Sequence, residues 1–286
     1  MQKYLIVTAD DFGLHEAVNE AVEQANRSGM LTAASLMVGA PAVADAIRRA
    51  RLLPRLRVGL HLVLADGGAT LAPDLIPALA DGAGWMDSRM FVRGVRFFAL
   101  PSVRRQLEAE IRAQFAAFAS TGLRLDHVNA HKHFHLHPTL LQMVLRIGRE
   151  YGRPAVRVPD EPLWFAADGG WTAAAGAGLL KPWVALMKVR LRAAGVLHND
   201  HVFGVAASGA MVEGKLLRVI ARLPSGITEI YLHPAIRSGA AIAHSMNRYR
   251  HAEELAALLS PRVRAAIAHS GVELGGYRDI PNSAAG

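Results

Sequence analysis

Three observations predict an α/β fold: a distorted β/α barrel of TIM-like type with parallel strands, in a single domain spanning residues 1–286. Short apolar runs alternate with helical patterns along most of the chain, which is the order that parallel βαβ units require. With 286 residues, 51% hydrophobic and 20% charged, the chain can bury a large core, and α/β barrels reach this size as one unit. Four polar clusters each fall at the end of an apolar strand candidate, and in a barrel the C-terminal ends of the strands surround one mouth.

The elements follow in order. KYLIVTA reads as the first strand, and HEAVNEAVEQANRSG as a helix with Ala17, Val18, Ala21, Val22 and Ala25 on one face and Gly29 as its C-terminal cap. LTAASLMVG and RVGLHLVL read as strands, with a helix around 41–52 between them. After a loop-rich region, Ser102 is positioned to cap a helix whose stripe is Val103, Leu107, Ile111, Phe115 and Phe118 and which ends at Gly122. LRLDHVNA is then a strand, PTLLQMVLRIGREYG a helix and AVRVP a strand. From about 160 to 202 the pattern loosens into an irregular insertion rich in glycine, alanine and tryptophan. Beyond it EGKLLRVIARLPSG reads as helical and ITEIYLHPA as extended, and one or two helices fill 248–270 before GVELGGYRDI.

Composition excludes several classes. With no cysteine there are neither disulfides nor thiolate ligands, which suits a cytoplasmic protein, and any metal must be held by His, Asp or Glu. MQKYLIVTADDFG reaches a charged pair after one short apolar run, so it reads as a mature first strand and not as a leader. The longest nearly apolar region, Leu163 to Val189, is interrupted by Asp168, Lys181 and several glycines, so no transmembrane helix is expected. The net charge of +8 is spread over several helices and predicts no nucleic-acid partner.

The chemistry concentrates in four places. HVNAHKHFHLHP, from His127 to Pro138, holds five histidines in twelve residues. Strand alternation sends His127, Asn129 and His131 to one face and Val128 and Ala130 to the other, giving an imidazole face suited to a divalent ion. Asp10 and Asp11 end the first strand. On a regular strand they cannot both point one way, so one is expected to ligate a cation while the other orients or deprotonates a water; a plainer role is for one of them to cap the helix that begins near His15. His61 lies within VGLHLVL, and His233-Pro234 follows TEIYL.

TADDFGLHEAVNEAV, VGLHLVL, HVNAHKHFH, VRVPDE and EIYLHPA occur in the order and spacing of the YdjC-like carbohydrate deacetylases, which this chain resembles from its first strand to its tail. Within that family it is similar to the hopanoid biosynthesis-associated branch. The resemblance implies one divalent metal ion, zinc or magnesium, held by Asp11, His61 and His131. It also implies Asp10 as general base and His233 as the group that protonates the leaving amine, in hydrolysis of an N-acetyl group from an amino sugar. Two departures stand out: Asn129 replaces the Asp usual in the family, and Ala235 follows His-Pro where Gly is common.

For the acceptor, the segment 162–202 gathers Trp164, Trp171, Trp183, Leu186 and Met187 ahead of Lys188, Arg190 and Arg192. With the resemblance, this predicts a glycolipid whose N-acetylglucosamine-like head enters the metal site while its polycyclic tail lies against Trp183 and Leu186; KPWVALMKVRLRAAG is equally an amphipathic helix of the barrel's coat. Arg157 and His133 complete the expected substrate contacts. A peripheral contact with the inner membrane face and a homodimer are further expectations. The alternatives are a deacetylase of soluble N-acetylated oligosaccharides, a metal-dependent hydrolase of phosphoesters or cyclic amides, and a non-catalytic metal- or sugar-binding protein.

Overall fold

The computed structural model describes residues 2–237 and 242–280. In chain order its elements are β1 (Lys3–Phe12), α1 (Glu16–Ser28), β2 (Ala33–Leu36), α2 (Val43–Arg51), β3 (Arg57–Leu62), β4 (Gly67–Gly68), β5 (Trp85–Met86), α3 (Met90–Ala99), α4 (Pro101–Ser120) and β6 (Leu125–Ala130). The second half contributes α5 (Pro138–Gly148), β7 (Ala155–Val156), α6 (Leu163–Ala166), α7 (Trp171–Ala193), β8 (His201–Phe203), α8 (Glu213–Ile220), β9 (Gly226–Leu232), α9 (His251–Leu259), α10 (Pro261–Ser270) and β10 (Glu273–Leu274).

An eight-stranded sheet runs β7-β6-β3-β2-β1-β9-β8, with β10 on the free lower half of β1, and its ladders are parallel. The helices coat its outer face, so the predicted α/β architecture is present as an open half-barrel. Alternation divides each strand between two environments. Leu5, Val7 and Ala9 of β1 join the helices in the main core, whereas Tyr4 and Ile6 fall in a second apolar cluster with Ala33, Ala155, Ile227 and Tyr277, which plugs the bottom of the lumen. Above this plug the lumen is polar. Gly59 makes room there: a Cβ at that position would lie 2.5 Å from the ring of His127.

No strand ladder joins β7 to β8; two backbone bonds, from the Val156 N–H to the Leu197 carbonyl at 2.9 Å and from the Val202 N–H to the Asp160 carbonyl at 3.1 Å, and one side chain close the seam. The buried amide of Asn199 accepts from Val158 N–H at 2.7 Å and donates to the Val158 carbonyl at 2.7 Å and the His201 carbonyl at 3.0 Å, satisfying backbone groups that the missing ladder would leave unpaired.

Several local expectations change. The region read as an irregular insertion is mostly α7, 23 residues long with Pro182 inside; its glycines and alanines weaken the periodic signal without preventing a helix. The loop-rich region contains α3 and the β4–β5 hairpin. Ser102 lies inside α4, whose N-cap position is Leu100 and whose first residue is Pro101. Proline suits that position, with φ already helical and no N–H to satisfy. The N-cap of α1 is His15, whose Nδ1 accepts from Ala17 N–H at 2.9 Å, and neither aspartate fills that role. Among the described residues no helix is long and apolar enough to cross a membrane.

Asn199→Ala should leave the Val158 N–H without a partner, the Val158 carbonyl keeping the Asp160 N–H at 2.8 Å, and lower the unfolding free energy by about 1–3 kcal/mol, the cost of one buried group left unpaired. Urea titration followed by circular dichroism measures this, and a loss near zero would mean that the seam closes without the amide.

Candidate active site

Strand β1 departs from regular pleating at its end. Its register with β2 shifts between Ala9 and Phe12, and Asp11 has φ +62°, a left-handed conformation that is uncommon for a residue with a side chain. The bulge undoes the strict alternation expected for this pair. Asp10 and Asp11 both reach one site, and both are buried. A similar device follows β6, where Lys132 and His133 have φ +55° and +54° and turn the chain so that the rings of His131 and His133 both reach the cavity.

Asp11, His61 and His131 come together at the C-terminal ends of β1, β3 and β6, with one potential ligand atom from each lying within 4.8 Å of the others. Asp11 Oδ1 is 3.3 Å from His61 Nε2 and 3.3 Å from His131 Nδ1, and Asp11 Oδ2 is 3.9 Å from His233 Nε2. Both Asp11 oxygens are buried with no hydrogen-bond donor. For a buried carboxylate this is costly unless a cation occupies the same space, so the donor set fits a divalent ion. The proton arrangement agrees. His61 faces Asn129 across the β3–β6 ladder, its Nδ1–H donates to Asn129 Oδ1 at 2.7 Å, and in the neutral ring Nε2 is then the lone pair turned toward Asp11.

Arg157, expected as a substrate contact, is instead completely enclosed. Its Nη1 and Nη2 donate to Asp10 Oδ2 and Oδ1 at 2.5 and 2.9 Å, and its Nε and Nη2 donate to Glu229 Oε2 and Oε1 at 2.9 and 2.8 Å. Glu229 also accepts from Thr8 at 2.6 Å and from Tyr277 at 2.7 Å. Burial pushes the Asp10 carboxyl up, but the Arg157 guanidinium, with His61, outweighs it and holds the group well below the usual carboxylate range. Asp11 is likewise pushed up by burial and brought well down by His131 and His61. Burial lowers His61, and Asp10 and Asp11 more than reverse it.

The five clustered histidines divide the work. His131 faces Asp11. His127 lies deeper, bonded to Ser35 at 3.0 Å and Asp126 at 2.9 Å. His133 shares a 2.9 Å hydrogen bond with the Tyr231 hydroxyl and lines the cavity; burial and then Arg157 keep it neutral, well below the ordinary imidazole range. His135 donates to the Arg157 carbonyl at 2.9 Å, and His137 packs edge-on against Phe97. The cavity over the site has a volume of about 180 Å³, with Asp10, His61, His131, His133 and His233 in its walls.

Trp183 and Leu186 are absent from those walls. The Trp183 indole donates to the Leu136 carbonyl at 2.7 Å under Arg190, and Leu186 faces outward, 42% exposed. Sequence reasoning misses Glu254, whose carboxylate accepts from the His233 N–H at 2.5 Å and the Met211 N–H at 2.7 Å. It also misses Glu229, although Glu229, Tyr231 and His233 share one phase of the β9 alternation. A charged residue in the lumen phase of an apolar strand was the available signal.

Fold and site together define a class: a parallel β/α half-barrel with a buried Asp-His-His cluster at the carboxyl ends of its strands. The chain matches the family described as YdjC-like protein over residues 4–269 and belongs to it. It is 32% identical over 282 residues to a carbohydrate deacetylase of Geobacillus stearothermophilus, covering 98% of this chain and 99% of that protein. A carbohydrate deacetylase of Brevibacillus brevis is 41% identical over 155 residues, or 54% of this chain and 59% of that protein. Among solved structures, a protein of Enterococcus faecalis V583 named provisionally for cellobiose-phosphate cleavage superposes with a TM-score of 0.76 at 24% identity, covering 97% of this chain and 98% of that one; this likeness attests the fold.

Burial pushes the Glu254 carboxyl up from 4.5 to about 7. With the folded value above the unfolded one, the native state holds the extra proton, so Glu254 adds stability below pH 4.5 that is lost as pH rises to about 7. Glu254→Gln should therefore gain stability relative to the parent across that interval, by up to roughly 3 kcal/mol. Denaturation series at several pH values test it, and parallel pH profiles for the two proteins would refute it.

Proposed function

We propose that this protein is a metal-dependent N-deacetylase that hydrolyses the acetamide of an amino sugar. The observation that carries the reading is the pairing of a donor-free Asp11, flanked by His61 and His131, with the adjacent Asp10 held ionised by Arg157. The carbohydrate deacetylases among its relatives support the substrate class. A divalent ion held by Asp11, His61 and His131 would supply Lewis-acid polarisation of the acetyl carbonyl and of the attacking water.

The chain's own residues do the rest. Asp10 Oδ1 already accepts from Arg157 and Asn129, whereas Oδ2 accepts from Arg157 alone, so Oδ2 is the atom with room for the water's proton. As that proton moves to Oδ2, the water oxygen bonds to the acetyl carbon. His233 Nε2 then gives a proton to the nitrogen, without which an amide nitrogen is a very poor leaving group, and the C–N bond breaks to release acetate and the free amine. The proton on Asp10 leaves with solvent as His233 is reprotonated. Tyr231 and Tyr249 flank the His233 ring at centroid distances of 5.6 and 5.0 Å and fix its plane.

In the finer reading the amino sugar is the head group of a hopanoid glycolipid, as the sequence resemblance implies; a soluble N-acetylated oligosaccharide is the alternative. Support for a lipid-facing habit comes from the outer face of α7, where Leu179, Leu186 and Val189 are 83%, 42% and 53% exposed and the last turn adds the exposed Arg190 and Arg192, on a helix with no acidic residue. This composition suits an anionic interface.

Asp10→Asn should keep its metal and lose activity by about 10²–10⁴-fold, read by mass spectrometry as failure to remove one acetyl group from acetylated amino sugars. Arg157 keeps Glu229 as a partner in this variant, so it should fold with a lowered melting temperature, and retained metal with an unchanged circular dichroism spectrum shows that it does. Surviving turnover would remove Asp10 from the mechanism. His61→Ala and His131→Ala should each lose most of the bound metal by elemental analysis, and full metal content in both would rule out the three-ligand site. Leu179→Ser combined with Leu186→Ser should reduce cosedimentation with anionic vesicles; unchanged cosedimentation would dismiss the membrane contact.

A further inference from the structure

A second cavity, of about 270 Å³, adjoins the candidate catalytic one, and His133 and Val205 line both. Its far wall is the inner face of α7, where Thr172, Gly176, Leu180 and Val184 recur every fourth residue, the spacing that places side chains on one stripe of a helix. We propose that this cavity is a subsite for an apolar group joined to the amino sugar, so that the sugar occupies the metal pocket while its apolar substituent runs past His133 and Val205 beneath α7. The proposal rests on the amino-sugar reading above and adds where, and by what chemistry, the rest of the substrate is recognised.

An apolar occupant follows from how the charged groups of the cavity are already engaged. Asp160 is paired with both Lys181 and Lys188, and Lys181 also donates to the Glu161 carbonyl at 3.0 Å. The Glu161 carboxylate accepts from the N–H groups of Gly204, Val205 and Ala206, each at 2.9 Å. A phosphate or carboxylate entering here would have to displace one of these partners, and a second sugar would bury hydroxyls against aliphatic walls at a desolvation cost. An alkyl or alicyclic group needs only the space. The small side chains of α7 provide it, for a Cβ built on Gly176 meets nothing within 4 Å. The polar element at the junction is His133, whose Nδ1 is buried and has no partner.

The test compares methyl, hexyl and octyl β-glycosides of N-acetylglucosamine with metal-loaded protein. In the parent, kcat/KM should rise with chain length by about two- to fourfold per methylene, the scale set by burying a CH₂ group, until the cavity is full. Gly176→Leu fills the cavity with a residue of higher helix propensity than glycine and should cut the octyl-to-methyl ratio at least tenfold; Thr172→Trp should do the same from the next turn. Gly178→Leu, where an added side chain also meets open space but does not line the cavity, should keep the parent ratio. Binding of octyl β-glucoside, which carries no acetamide, is measured in parallel by calorimetry and should be lost in Gly176→Leu. If no glycoside is turned over yet octyl glucoside binds the parent and not Gly176→Leu, the subsite stands and the deacetylase reading fails. A ratio that does not rise with chain length in the parent, or that survives Gly176→Leu, or a gain seen only with di-N-acetylchitobiose, would overturn the subsite.

Discussion

A guanidinium with no exposure to solvent is held in the middle of the barrel by two carboxylates, one on each of two neighbouring strands. Arg157 lies just beyond β7, Asp10 on β1 and Glu229 on β9, so this ion cluster spans the lumen near the seam where the sheet is open. Removing one partner from such a cluster is expected to cost about 3–5 kcal/mol, because a buried charge is left uncompensated. The cluster also decides the chemistry, since the Arg157 guanidinium keeps Asp10 a carboxylate at a depth where burial pushes its carboxyl up. Backbone and side chain are fixed together: the Arg157 carbonyl is held by His135, and its guanidinium lies 4.6 Å over the ring of Tyr231.

From Asp10 a hydrogen-bonded chain runs across the lumen and fixes the protons along it. Asn129 Nδ2 donates to Asp10 Oδ1 and to Ser35 Oγ, and its carbonyl oxygen accepts from His61. Ser35 continues to His127, and His127 to Asp126. An amide at position 129 can be donor and acceptor at once; a carboxylate there would face the Asp10 carboxylate at about the same 3.1 Å separation and repel it while both are ionised. The departure from the family's usual Asp is thus compatible with an ionised Asp10. Asp10 and Glu229 share the one guanidinium, whereas Asp11 faces only imidazoles, and there a cation fits.

Much of this is legible along the chain. Alternation in HVNAHKHFH puts His127, Asn129 and His131 on one face, and in the structure His127 and Asn129 share the lumen hydrogen-bond network while His131 stands at its mouth. The placing of polar clusters at strand ends is readable for the same reason, as parallel strands of one barrel deliver their carboxyl ends to one rim. What is not legible is any feature set by a deviation from regular geometry. The left-handed Asp11 brings two consecutive carboxylates to one site, where period-two reasoning keeps them apart.

Trp183 and Leu186 show the other limit. Composition and the arginines nearby suggest a substrate wall, but the helical phase of α7, set by how Val184, Met187 and Leu191 pack into the core, directs Gly176 and Leu180 toward the cavity instead. Sequence by itself determined most of the strands and their flanking helices, the lumen-facing phase of the regular strands and the residue types at the rim, because these follow from periodicities of two and about four residues. Only the tertiary structure decided that Arg157 is sealed between Asp10 and Glu229, that Asn199 pairs with Val158 across the seam and which stripe of α7 looks inward. Each of these depends on partners 41 to 147 positions apart or on the rotation of a packed helix, and no local pattern encodes either.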